Sequence, residues 1–345
     1  MPNGRARRRG ALALIIGTVA GLLLVEGGLR SVVGYHGTAP PGDIQYDREL
    51  GWTLAPDRKE WQSAIGYGVW VTTDAEGLRI DGRVETQRTT SPLPTLLVLG
   101  DSYAFGYGVS GDAMFASALQ HELARSPAPY RVRTAGVPGY STDQEYLRWR
   151  RLASAVRPTH VLLLFHSSDL IDNLHTSVIM GPDRYFKPRF ELRDDRLELK
   201  GVPVPDKQRL VPPGIGEALK AWVRPLATYS LVQAGAQRMG SAPANVPAQP
   251  ADAPPEADAI TAALLAALDR DTRASGADLT VALVPASPVV TRRVAAICLA
   301  QRIPFIDLGP AFADARDVAL PFDRHWNARG HAIAAQAVAA TIRAR

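Results

Sequence analysis

Cysteine is almost missing from this chain: 345 residues contain one, Cys298. No intramolecular disulfide can form, so cysteine usage does not report the redox compartment. Cys298 stands in the apolar helical stretch Val294-Ala-Ala-Ile-Cys-Leu-Ala and reads as a small buried hydrophobe. The sequence also lacks a glycine-rich phosphate loop, internal repeats and a metal-ligand spacing. His325-x5-His331 comes nearest to the last, but it lies partly on a helix and has no clear third ligand. No cofactor is expected. Charged residues make up 21% of the chain and hydrophobic residues 46%, which allows a sizeable packed core. Of a formal net charge of +5, four charges sit together at Arg5, Arg7, Arg8 and Arg9. The body is therefore nearly neutral, and the basic balance is a topology signal with no nucleic-acid partner implied.

Long apolar runs are scarce too, with one exception. Gly10 to Val25 is an unbroken run of sixteen residues directly after the arginines. It reaches about 20 residues, enough for a membrane span, if Glu26 lies at the headgroups and Arg30 snorkels outward. No face of the run is polar, which argues against a buried soluble helix. The preceding arginines orient such a span with the N-terminus in the cytoplasm and the rest outside. The rival is a cleaved signal peptide, although no clean Ala-x-Ala site occurs between Gly27 and Thr38. The expectation is a single-pass cell-membrane protein with an extracytoplasmic body.

The chain divides into a basic tail and anchor (1–34), a linker and lead-in (35–94) and a main domain (95–345). Tyr35 to Asp43 is rich in Gly and Pro and reads as linker. From residue 95 a regular alternation begins. Thr95 to Leu99, Tyr130 to Thr134, His160 to Phe165, Asp278 to Pro285 and Phe305 to Asp307 read as short apolar strands. Between and after them lie helical patterns, with Asp112, Thr142 and Asn327 as candidate N-caps. Apolar strands alternating with helices predict an α/β three-layer sandwich around a mostly parallel five-stranded sheet. An insertion at about 174–260 interrupts the third and fourth strands. Within it, Phe190-Glu-Leu and Leu197-Glu-Leu predict a hairpin, Leu210 to Met239 reads as largely helical, and the Pro- and Ala-rich stretch Ser241 to Ala257 reads as a disordered loop.

Three segments carry chemistry. Gly100-Asp-Ser102 follows the first strand and places a serine hydroxyl on the edge where open α/β sheets bind ligands. Gly136-Val-Pro-Gly139 follows the second strand, and its glycines allow a backbone N–H to approach a ligand closely. Asp323-Arg-His325 precedes the last helix. His325 is a candidate general base, and Asp323 is near enough to orient it. Trp326, Tyr103, Tyr107 and His166 each read as pocket lining or as packing, and Asp169 and Asp172 as caps or substrate contacts.

In this order, the segments resemble the SGNH, or GDSL-type, hydrolase superfamily, whose fold is flavodoxin-like. The resemblance implies a nucleophile at Ser102, oxyanion donors at the Ser102 and Gly139 backbones, and an acid–base pair at Asp323 and His325. Gly51-Trp-Thr-Leu-Ala-Pro56 and Thr73-Asp-Ala-Glu-Gly-Leu-Arg79 further resemble stretches in a membrane-anchored bacterial subgroup. That subgroup is linked to removing or transferring acyl groups on cell-surface carbohydrates. Two departures stand out. Ser168 occupies the position of an Asn whose amide donates to the oxyanion, and a serine hydroxyl is shorter. One lost donor costs about 2.7–4 kcal/mol, unless another such as Ser167 compensates. The Asp also stands two residues before the His where many members have three, and Phe322 at the usual position cannot substitute. This spacing resembles alginate-type O-acetyltransferases. The expected function is a serine esterase acting on acyl esters, acetyl above all, of a carbohydrate or small molecule. The alternatives are an O-acyltransferase fed by a membrane acyl-donor protein, and a catalytically weak binding module.

Overall fold

The structure is a computed structural model that describes residues 4–33, 44–64, 66–81, 93–126, 129–181, 183–194, 196–210, 226–229, 231–232, 250–321 and 323–343. The Tyr35 to Asp43 linker, most of the Leu210 to Met239 segment, residues 241–249 and Phe322 lie outside them.

Apolar runs with no polar face become the centre of the sheet. β6 (Thr95–Gly100), β7 (Arg131–Thr134), β8 (His160–Phe165), β14 (Asp278–Leu283) and β15 (Phe305–Asp307) pair in parallel in the order β15-β14-β8-β6-β7. Alternate residues face opposite sides, as the two-residue period of a strand requires. Leu97, Leu99, Val161, Leu163, Val281 and Leu283 pack with α4 (Thr142–Val156), α6 (Pro255–Ala274) and α7 (Pro288–Ala300). Leu96, Val98, Leu162, Leu164 and Ala282 pack with α3 (Phe115–Leu123) and α9 (Ala328–Arg343). Helices therefore cover both faces, and the central strands β6, β8 and β14 are almost entirely buried. A single turn, α8 (Gly309–Phe312), follows β15.

The sheet continues past β7. β3 (Lys59–Ala64), β4 (Tyr67–Thr73) and β5 (Arg79–Ile80) add three antiparallel strands, so the residues read as a lead-in extend the sheet to eight strands. β1 (Ile44–Asp47) and β2 (Gly51–Leu54) form a separate antiparallel pair. Beyond β8 lie α5 (Asp169–Asp172), the hairpin of β9 (Ser177–Met180) and β10 (Asp183–Phe186), and a second hairpin of β11 (Arg189–Arg193) and β12 (Arg196–Lys200). β13 (Gln208–Arg209) pairs with β10. Cys298 is fully buried on α7.

Two helix starts differ from their expected caps. Asp112 lies in a short 3-10 turn, and α3 begins at Phe115 after Met114. α4 begins at Thr142, but Ser141 holds the cap position and accepts the first main-chain bonds from Gln144 and Glu145. The side chains here are drawn elsewhere: Ser141 Oγ accepts from Lys187 Nζ at 2.7 Å, and Thr142 Oγ1 lies 3.4 Å from Asp169. Asn327 behaves as expected, accepting from the N–H groups of Arg329 and Gly330. The last part of the stretch read as disordered is helical, because Pro255 opens the 20-residue α6. Its Ala257, Ile260, Leu264, Leu265 and Leu268 form a stripe at helical spacing that packs into the core.

At the N-terminus, α1 (Gly4–Val33) contains a 23-residue stretch, Arg9–Ser31, long and apolar enough to cross a membrane or serve as a signal sequence.

Candidate active site

With strand order 7-6-8-14-15, the chain leaves β6 in one direction along the sheet and returns to its other side for β8. This is the switch point at which open α/β sheets bind ligands, outside the carboxyl ends of the strands. The loops after β6, β7 and β8 all emerge there.

β6 ends at Gly100, whose φ of +147° suits only glycine. A Cβ at this position would lie 2.9 Å from the Leu164 carbonyl oxygen and 2.7 Å from Ala104 Cβ. This tight turn lifts Ser102 to the first position of α2 (Ser102–Phe105). Asp101 caps it by accepting from the Tyr103 N–H at 2.8 Å.

His325 reaches Ser102 from across the chain. Its Nε2 lies 2.7 Å from Ser102 Oγ, and its Nδ1 lies 2.6 Å from Asp323 Oδ1. The same oxygen accepts from the main-chain N–H of His325 at 2.9 Å. This explains how a two-residue spacing serves: the chain folds back so that one carboxylate oxygen receives both the ring and the backbone. The Leu320 N–H donates to the His325 carbonyl, and Ala319 bridges Trp326, which pins the loop before α9. Burial tends to raise the Asp323 pKa, but hydrogen bonds from His325 and its positive charge outweigh it and hold the carboxyl below its ordinary value. Asp323 is therefore ionised at neutral pH.

The glycine loop is registered to the Ser102 turn by main-chain bonds. The Ala135 N–H donates to Val98 O at 2.7 Å and the Val137 N–H to Gly100 O at 3.1 Å. Gly139 follows with a φ of +81°. Ser168 sits on the other side, at the start of α5. Its hydroxyl lies 3.0 Å from His166 Nδ1 and also bonds the Asp172 carboxylate. A hydroxyl has one proton, and two acceptors compete for it. Ser168 is thus committed within its own loop.

Aromatic rings enclose the His325 imidazole. Tyr107 lies 4.6 Å and Tyr103 5.2 Å from it, centroid to centroid. Tyr67 packs on Tyr107, and burial raises the pKa of both phenols. Burial takes Tyr103 up to about 12, so these hydroxyls stay neutral. Tyr103 is also stacked on His166 at 5.2 Å with an 18° interplanar angle. Trp326 is buried, stacked on Phe312 and edge-on to His331, so it is a core residue. Burial brings His331 down to about 3, which keeps it neutral inside the core.

The two N-terminal motifs brace this site. Trp52, fully buried, donates from Nε1 to Pro138 O at 3.0 Å, and its own carbonyl accepts from Tyr140 Oη at 2.5 Å. Those bonds clamp the loop on both sides of Gly139. The buried Arg79 guanidinium donates to Phe105 O at 3.0 Å, Gly106 O at 2.5 Å and Val109 O at 2.6 Å. It collects the carbonyls where α2 ends, directly beyond Ser102. Arg148 adds a third tie, donating to Ala135 O, Thr53 Oγ1 and Gly77 O. The Trp and Arg were visible as motif residues, but their side-chain targets are up to 86 residues away in sequence and left no local signal.

Behind the site lies a buried group of acids. Lys187 Nζ donates to Asp143 Oδ2 at 2.6 Å, to Ser141 Oγ and to the Asp172 carbonyl, with both charged side chains fully buried. Asp169 and Glu145 are also buried, and their pKa values stand well above the ordinary range. Burial is the main cause, and repulsion among Glu145, Asp101, Asp143 and Asp169 adds to it. Asp169 is thus a packed interior group. Asp172 ends below its usual value despite burial, through hydrogen bonds from His175 and Ser168 and the charge of Lys187.

Residues 98–333 match the model of the GDSL-like Lipase/Acylhydrolase family. No curated protein matches the sequence. Among solved structures, TesA is 14% identical, with 72% of this chain and 98% of that chain covered at a TM-score of 0.43. The psychrotrophic esterase EstA from Pseudoalteromonas sp. is 14% identical, covering 72% and 97% at 0.41. The acetyl xylan esterase AlAXEase is 13% identical, covering 72% and 99% at 0.38. A family match that runs from β6 into α9 spans most of the chain and every loop of the site, and the chain therefore belongs to the GDSL-like lipase/acylhydrolase family of ester hydrolases.

Proposed function

We propose that Ser102, His325 and Asp323 form the catalytic triad of an esterase that removes short acyl groups, acetyl above all, from carbohydrate at the outer face of the cell membrane. The observation that carries the triad is the unbroken hydrogen-bonded series from Ser102 Oγ through His325 to Asp323, at 2.7 and 2.6 Å. Ser102 Oγ attacks the ester carbon while His325 Nε2 takes its proton. Asp323 holds the proton on Nδ1, which fixes the tautomer and stabilises the imidazolium. The N–H groups of Ser102 and Gly139 receive the developing oxyanion. The imidazolium then protonates the leaving alkoxide, and water resolves the acyl-serine by the same route. The location rests on the Arg9–Ser31 apolar helix behind its arginines, and the carbohydrate target on the resemblance of the Trp52 and Arg79 motifs.

The two-residue Asp323–His325 spacing favours a second reading, transfer of the acyl group to a sugar hydroxyl from a membrane donor. Both readings share the acyl-serine and part at its resolution. The test uses full-length protein in detergent with p-nitrophenyl acetate, comparing wild type with Ser102→Ala, and with and without acceptor oligosaccharide. A rate lost in the variant and unaffected by acceptor supports the esterase. Acetylated oligosaccharide formed faster than acetate supports transfer. A rate unchanged in the Ser102 variant removes both.

A further inference from the structure

The oxyanion hole has a gap on the β8 side, because the side chain at the expected position, Ser168, has its one proton engaged by His166 or Asp172. We propose that the imidazole of His166 is the side-chain oxyanion donor of this enzyme. This inference rests on the triad reading above.

His166 is the first residue after β8, on the strand next to β6 and at the same end as Ser102. The chain turns immediately: the Asp169 N–H donates to the His166 carbonyl at 3.0 Å. Within that turn, the Ser168 N–H donates to His166 Nδ1 at 3.3 Å. A backbone N–H has no lone pair to offer, so Nδ1 is the acceptor of this bond. The neutral ring then carries its proton on Nε2, and Ser168 Oγ lies 3.0 Å from the same Nδ1. The ring thus stands beside Ser168, in the loop where the Asn was expected. Its Nε2–H takes part in no hydrogen bond among the described residues.

A face of the ring is fixed as well. It stacks on Tyr103, the residue next to the nucleophile, and Tyr103 in turn lies against His325. Tyr103 therefore contacts both histidines, at the same 5.2 Å centroid separation. His325, with its 2.7 Å contact to Ser102 Oγ, is the base. His166 has its Nδ1 tied down, and its Nε2–H has no hydrogen-bond partner among the described residues. A preorganised donor whose orientation is set before substrate arrives is what oxyanion stabilisation requires. A ring stacked on Tyr103 and bonded through Nδ1 meets that requirement, and a serine rotor shared between two acceptors does not.

The electron flow is simple. The Ser102 Oγ–carbon bond forms and the carbonyl π pair moves onto oxygen, while the Ser102 proton goes to His325. The His166 Nε2–H hydrogen-bonds the new O⁻ without giving up its proton. When the tetrahedral species collapses, the pair returns to the carbonyl, the bond to the leaving alkoxide breaks, and the alkoxide takes the proton from His325. His166 ends each cycle as it began.

The deciding experiment compares His166→Phe with His166→Gln in full-length protein. Phe keeps a ring to stack on Tyr103 and has no donor. The Gln amide nitrogen stands where Nε2 stands and donates without a ring. Initial rates with p-nitrophenyl acetate give kcat and KM, thermal unfolding checks the fold, and fluorophosphonate labelling of Ser102 checks the triad. Expected is a fall of about 10²–10³-fold in kcat for H166F with KM little changed, the loss typical of one oxyanion donor. H166Q is expected to stay at least tenfold above H166F. Equal kcat for the two variants, at any level, overturns the proposal, because the N–H is then not what the position contributes. Absence of Ser102 labelling in the wild type removes the triad reading instead. Labelling in the wild type together with equal variants removes this inference alone.

Discussion

Gly100 and Asp323 each make the site depend on a single atom's placement. Substituting Gly100→Ala puts a methyl group 2.9 Å from a main-chain oxygen that has no room to retreat, at a φ that alanine tolerates poorly. The backbone strain alone costs about 1–3 kcal/mol, and the crowding adds to it. We expect a clear drop in the urea midpoint, together with loss of Ser102 labelling in the protein that remains folded. Asp323→Asn changes no volume but replaces an ionised acceptor by a neutral amide. The amide can present its NH₂ to His325 and stabilise the wrong tautomer. By comparison with other Ser-His-Asp enzymes, kcat should fall by about 10³–10⁴-fold with stability nearly unchanged; a fall of less than tenfold would refute the assigned role of Asp323. These residues were legible in the sequence because each sits within two positions of a strand end or of its partner. His166 was legible only as one of two open readings, since its value depends on which ring nitrogen a neighbouring backbone N–H engages.

Among the elements, the lead-in behaves as part of the site's frame. β5 pairs with β7 and delivers Arg79 beneath α2, and β2 delivers Trp52 to the Gly139 loop. Arg79→Met keeps most of the packing but leaves three carbonyls short of a donor. At about 1 kcal/mol or more for each such group, the cost is about 3 kcal/mol, measurable as a lowered unfolding midpoint. Because those carbonyls end the turn that carries Ser102, kcat should fall as well while the Asp323–His325 pair stays intact. A variant equal to wild type in both readouts would show that the guanidinium is not needed there. The periodicities that marked β6, β8, β14 and the final helix are local properties of the chain, so those elements could be read directly. β3, β4 and β5 lie in a lead-in whose sequence showed only an irregular or β-rich pattern; β3 and β4 pair with each other and join the main sheet through β5, which pairs with β7, and that long-range pairing has no local signature. α6 was masked by its Ala- and Pro-rich start, although its Ile260, Leu264 and Leu268 do follow helical spacing.

Across the whole molecule, a buried cation helps tie the insertion to the core. Lys187 pairs with Asp143 on α4 where neither side chain touches water. Removing one partner of such a pair strands the other charge, at about 3–5 kcal/mol. Lys187→Met should therefore lower stability by that order in chemical denaturation, and adding Asp143→Asn should recover part of the loss. No recovery would mean that the ammonium acts mainly through Ser141 and the Asp172 carbonyl. The neighbouring acids give the protein a pH dependence of definite sign. Glu145 has no hydrogen-bond partner for its carboxylate oxygens among the described residues, and burial holds its folded pKa well above the ordinary 4.5. The folded state then binds more protons than the unfolded chain over the interval between the two values. Glu145 thus contributes stability that is fully present below pH 4.5 and is lost as pH rises through the folded pKa. Glu145→Gln, which cannot ionise, should show a shallower decline in urea midpoint than wild type as pH rises above 4.5. Parallel profiles would exclude Glu145 as the source.

The sequence by itself determined the parallel core of the sheet and the apolar N-terminal helix, and it marked the Ser102 and Asp323–His325 segments that the fold brings together. Those features arise from short-range periodicity and from residue types whose chemistry does not depend on context. Only the tertiary structure decided that Ser168 would be occupied by its own loop, that His166 would be tied down beside it, that Arg79 and Trp52 would hold the loops, and that Lys187 would meet Asp143. Each of those outcomes is a contact between groups set by strand order and loop packing, and a hydrogen bond across the fold leaves no period in the chain that makes it.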